Sequence, residues 1–99
     1  MRSVDSIRRI KHIVTEVLSR EFRSVRIVDV RVHEDVDPEY DNILRIDVIF
    51  EGRPKDLDAR KLSGAVRTLR PRLNAIHESA IPLLSFISKA DDRRRRASA

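Results

Sequence analysis

The 99-residue chain predicts an α+β domain, and three observations carry that prediction. Apolar residues near the start recur at three- and four-residue intervals, and two central runs alternate apolar with polar residues. A second stretch of helical period then leads into a short apolar run opened by proline. The predicted order is helix, strand, strand, kinked helix pair, strand, or α-β-β-α-(kink)-α-β, with helices packed on one face of a three-stranded sheet.

From Val4 to Phe22, Ile7, Ile10, Ile13, Val14, Val17 and Leu18 form one helical stripe. Ser3 or Asp5 can cap its start. In "VRIVDVRVHE", Val28, Val30 and Val32 alternate with Asp29, Arg31 and His33, as a strand with one buried face requires. Val25 and Ile27 are out of step, which suggests a bulge or the strand's entry. "NILRIDVIFEG" repeats the alternation with Leu44, Ile46, Val48 and Phe50 inward. The stretch between the two runs is too short and too polar for a crossover helix, so the pair is expected to be an antiparallel hairpin.

Gly52 and Pro54 mark a loop, after which Asp56 or Asp58 caps a helix burying Leu62, Ala65, Val66, Leu69, Leu73 and Ile76. That helix holds Gly64 and Pro71, which cost roughly 1 and 3 kcal/mol against alanine in a helix interior. Pro71 also removes the amide that would bond the Arg67 carbonyl, so a kink or two helices are expected there. "IPLLSFIS", led by Pro82, is the third strand.

Residues 1–88 hold 16 Lys and Arg against 14 Asp and Glu, while residues 89–99 hold five against two, so over half of the net charge of +5 sits in the last eleven residues. The first span is expected to be the single domain. The second, "KADDRRRRASA", has almost nothing to bury and is expected to be a disordered Arg-rich tail. The chain has no cysteine, hence no disulfide or thiolate metal site. With no apolar run of signal-peptide or membrane-span length, a soluble, cytoplasmic protein without membrane partners is expected.

Asp35, Asp37, Glu39 and Asp41 space themselves like early ligands of a calcium loop. The glycine and glutamate such a loop needs at positions six and twelve are Tyr40 and Ile46 here, so a solvated acidic turn is the expectation. His12, His33 and His77 have no spacing that makes them converge. No nucleophile elbow, phosphate-cradling glycine loop or zinc-ligand pair is present, and neither enzymatic activity nor a cofactor nor a metal is expected.

Arg60, Lys61, Arg67, Arg70 and Arg72 decorate the second helical region. Arg60 and Arg67 share a face, and Arg70 is turned about 60° from Arg67 at roughly 100° per residue. Such a stripe can lie along phosphates.

"SGAVRTL", the later "RL" and "IPLLSF", in this order of elements, resemble ribosome-binding factor A, a family of small bacterial assembly factors with a type II KH-like fold. The resemblance spans residues 4–88 in architecture and about 63–86 in specific residues. The family's alanine-any-glycine bend corresponds here to Leu62-Ser63-Gly64, with leucine in place of alanine. The resemblance implies a helix bend at Ser63 and Gly64, and Pro71 adds a second interruption that departs from the family's pattern. It also implies small-subunit ribosomal RNA as partner, contacted first by Arg67 and Arg70, then by Arg60, Lys61 and Arg72. No base-stacking aromatics flank these cations, so shape and backbone would be recognised. The other reading is a noncatalytic interaction module whose protein partner meets the acidic loop or an exposed sheet edge.

Overall fold

The computed structural model describes residues 3–33 and 43–97. In chain order they form α1 (Val4–Glu21), β1 (Arg26–His33), β2 (Ile43–Glu51), a 3-10 turn (Pro54–Asp56), α2 (Ala59–Ala75), β3 (Ile81–Ser88) and α3 (Lys89–Ala97). The α+β class is as predicted.

β1 and β2 pair antiparallel, and β3 joins β2 in parallel, giving the order β1-β2-β3. A parallel partner needs a crossover, and α2 supplies it. Leu44, Ile46, Val48 and Phe50 of β2 all point to one face of the sheet and are buried there. Against that face pack Ile10, Val14 and Leu18 of α1 and Ala65, Leu69 and Leu73 of α2. Burying each large aliphatic side chain stabilises the fold by about 1.5–3 kcal/mol. Phe86 of β3 completes this layer, meeting Phe22 and Phe50 edge-on at centroid separations of 6.0 and 6.4 Å.

The out-of-step residues of β1 are a bulge: the pairing register slips between Ile27 and Asp29. One extra residue reverses the inward face. Ile27 therefore packs against the core, and Val28, expected inward, is 42% exposed.

Ser3 caps α1, its hydroxyl accepting from the Ser6 amide at 3.1 Å, and Asp58 caps α2 by accepting from the Arg60 amide at 2.8 Å. At the far end of α2, the amides of His77 and Glu78 donate back to the carbonyls of Asn74 and Leu73. His77 takes a left-handed φ of 63° to make this stop, a role usually filled by glycine.

Of the kinked helix or helix pair expected between β2 and β3, the structure has one helix, assigned without a break through Gly64 and Pro71. A Cβ placed on Gly64 would meet nothing within 4 Å outside its own helix. Its lack of a side chain therefore accommodates no close neighbour. Pro71 lies on the exposed side, where water can solvate the Arg67 carbonyl that loses its amide partner.

The last segment corrects the sequence reading most. Residues 89–97, expected as a disordered tail, form α3 on the sheet face opposite α1 and α2. The Ser88 hydroxyl accepts from the Asp91 amide at 3.1 Å, which caps the helix. Asp92, 9% exposed, receives a two-pronged hydrogen bond from Arg31 of β1 at 2.7 and 3.0 Å, and Lys89 reaches Glu51 of β2 at 3.0 Å. Ile49, on this second face, is buried. The domain thus extends beyond residue 88.

Candidate nucleic-acid interface

α2 buries the stripe Ala65-Leu69-Leu73, which turns the side opposite toward solvent. At roughly 100° per residue, Arg60 and Arg67 sit nearly diametrically opposite that stripe, and Arg70 follows one turn along. All three are exposed. Among the described residues none of the three has a carboxylate within ion-pair distance.

The other two expected contacts lie elsewhere. Arg72 is about 140° around the helix from Arg67, and Lys61 shares its flank. Arg72 is half-buried and donates to Glu16 of α1 at 3.2 Å. That hydrogen bond, with the nearby Arg72, Arg20 and His12 charges, holds the Glu16 carboxyl below its ordinary 4.5 despite opposing desolvation. Arg72 therefore joins the two helices, and Lys61 stands exposed on the same flank about three turns nearer the start of α2. The five predicted cations resolve into an outward set of three and a flank of two.

Elsewhere some cations are neutralised by neighbours, whereas Arg8, Arg9 and Lys11 of α1, together with Arg23 and Lys55, are exposed and, like the α2 trio, form no ion pair among the described residues. Arg20 pairs with Glu16, Arg26 with Glu51, Arg53 with Asp56, Arg94 with Asp91 and Arg96 with Asp92. The Arg31–Asp92 bond raises the Arg31 pKa and lowers that of Asp92. Lys89 likewise holds the Glu51 carboxyl low. Because α3 lies across the sheet from α2, Arg93 and Arg95 cannot extend the α2 stripe into one continuous surface.

Ser63 and Gly64 occupy the first half of α2 without breaking it. Ser63 is exposed, and Ser63 and Arg67 border a groove of 570 Å³ between α2 and β3. Val66, predicted to be core, faces this groove and is only half-buried. The periodicity of α2 did not distinguish the two, because Val66 sits at the edge of the apolar stripe.

The three histidines stay apart. His12 is 3.5 Å from Glu16, His33 is 2.7 Å from Asp47 on the second sheet face, and His77 ends α2. Among the described residues, no group of three His, Cys, Asp or Glu side chains is placed to hold a metal ion, and no helix is long and apolar enough to cross a membrane. The acidic stretch at Asp35, Asp37, Glu39 and Asp41 lies outside the described residues. The chain matches no family model, no curated protein and no solved structure.

Proposed function

We propose that this chain is an RNA-associated protein, a ribosome-binding factor A-like assembly factor that contacts small-subunit ribosomal RNA through the outer face of α2. The observation that carries the reading is the trio Arg60, Arg67 and Arg70, exposed on one side of a rigidly packed helix with no carboxylate partner among the described residues. An unpaired guanidinium can bind phosphate without first giving up an internal ion pair. The order helix, two strands, helix, strand supports the reading, although one unbroken helix stands where the resemblance implies two helices meeting at a bend. α2 runs unbroken through Gly64, and its outward face presents the three charges without any bend.

α2 contains no aromatic residue. Contacts would therefore follow the phosphate backbone and the shape of the RNA, with little reading of bases. Tagged protein sedimented with cell lysate at low and moderate salt tests the proposal. It predicts co-migration with small subunits that weakens steeply with salt and is lost in the Arg67→Glu plus Arg70→Glu variant. Undiminished co-migration of that variant would assign binding to another surface.

A further inference from the structure

We infer that α2 engages a double-stranded segment of RNA across its minor groove, with Ser63 and Asn74 hydrogen-bonding ribose 2′-hydroxyls between the two strands whose phosphates Arg60, Arg67 and Arg70 neutralise. The inference rests on the RNA reading of α2 and adds the form of the RNA and two residues that recognise it. Arg60, Ser63, Arg67, Arg70 and Asn74 follow one another at three- and four-residue steps and are all exposed. They make a single stripe of about 21 Å at roughly 1.5 Å per residue. At about 100° per residue, Arg60 and Arg67 lie along one margin of that stripe and Arg70 along the other, with Ser63 and Asn74 between them in angle. α2 contains no Asp or Glu. The side chains of Ser63 and Asn74 make no hydrogen bond among the described residues, so both are open to a ligand.

Two features select the duplex. Single strands are held in basic grooves furnished with aromatic platforms on which successive bases stack. The stripe instead runs along the solvent side of a helix, and the aromatic rings among the described residues offer no platform. Phe22 and Phe50 are buried, and Phe86 is half-buried with both of them edge-on against it. An RNA duplex needs no platform, since its wide, shallow minor groove displays 2′-hydroxyls between the phosphates of its two strands. α2 matches that order, with cations at the margins and neutral side chains between. The Ser63 hydroxyl and the Asn74 amide can each donate and accept, as pairing with a 2′-hydroxyl, itself donor and acceptor, requires. DNA lacks that hydroxyl, and its minor groove, about 6 Å wide, is too narrow for a helix about 10–12 Å across.

The test is fluorescence anisotropy of the full chain with one sequence of about 16 base pairs. It is supplied as an RNA duplex, a 2′-fluoro duplex of the same A-form shape, a DNA duplex and a single-stranded RNA. The RNA duplex is expected to bind about tenfold more tightly than the DNA duplex or the single strand. Ser63→Ala and Asn74→Ala should each weaken RNA-duplex binding about threefold. They should retain the parent's affinity for the DNA and 2′-fluoro duplexes and its salt slope, because neither change removes a charge. Both side chains are exposed and alanine favours a helix, so both variants should fold as the parent does, which circular dichroism checks. The inference is overturned if single-stranded RNA binds as tightly as the duplex or if RNA and DNA duplexes bind alike. It is equally overturned if the Ser63→Ala plus Asn74→Ala variant keeps the parent's affinity and preference for the RNA duplex. Should small subunits still bind the parent in a manner that Arg67→Glu plus Arg70→Glu abolishes, such a result overturns the duplex assignment alone. A parent that binds neither small subunits nor any of the four probes overturns the RNA reading as well.

Discussion

Replacing Gly64 by alanine separates two accounts of why a glycine sits in α2. If the helix had to turn or meet another backbone at this point, an added methyl would clash or force the bend open. The structure instead places open space, with nothing within 4 Å, where that methyl would project. Neither of Gly64's own backbone hydrogen-bonding groups is altered by the change; its carbonyl keeps the Thr68 hydroxyl at 3.1 Å. Only the helical preference of the residue changes, and alanine is favoured by about 0.5–1 kcal/mol. For a domain near this size about 1 kcal/mol moves the melting temperature by roughly 4–8 °C, so Gly64→Ala should raise it by roughly 2–8 °C. Thermal unfolding followed by circular dichroism reads this directly. Binding to small subunits should stay within about twofold of the parent, because Arg60, Arg67 and Arg70 keep their places on an unchanged helix. A melting temperature lowered by several degrees would refute the reasoning and restore a structural need for glycine at the bend.

Other positions give contrasting outcomes. Gly52 has a φ of +144°, and a Cβ there would lie 2.8 Å from Val25 Cγ1, so Gly52→Ala should destabilise by about 1–3 kcal/mol in urea unfolding. His77 holds a left-handed φ of 63°; His77→Gly should stabilise by about 1 kcal/mol by the same assay. The Asp92 carboxyl is held below its ordinary 3.8, first by the Arg31 hydrogen bond, so the folded state binds this proton less readily than the unfolded chain. Its contribution is complete above the ordinary carboxylate range and is lost as pH falls through the lower folded value. The urea midpoint should therefore fall on acidification, and Asp92→Asn should flatten that dependence and speed amide exchange in α3. An unchanged pH profile in that variant would mean that Asp92 does not anchor the helix.

Those contrasts reflect how local each signal is. α1 and the inward face of β2 were legible because Ile10, Val14 and Leu18, and Leu44, Ile46 and Val48, repeat at the spacing their own backbone imposes. The exchange of Ile27 for Val28 depends on where the bulge falls, and both residues are equally apolar, so alternation alone chose the wrong one. α3 was missed because its anchor is sixty-one residues away, at Arg31. A local signal was nevertheless present: Ser88 followed three residues later by Asp91, acids in the first turn and arginines in the last, the arrangement that caps a helix and complements its dipole. For the candidate site, Arg60, Arg67 and Arg70 were correctly grouped by the helical period. The same period already set Lys61 and Arg72 on another flank, and only the fold revealed Glu16 waiting there for Arg72.

The central claim is that three outward arginines of α2 neutralise phosphates, and its most direct measurement is the salt dependence of affinity for small ribosomal subunits. Three phosphate contacts at a slope of roughly 0.7–0.9 each predict that log Kd rises with log salt at about 2–3, a weakening of roughly 20- to 40-fold between about 50 and about 200 mM. The Arg67→Glu plus Arg70→Glu variant should lose affinity and reduce that slope by about 1.5. A slope near zero in the parent, or an identical slope in the variant, would contradict the account.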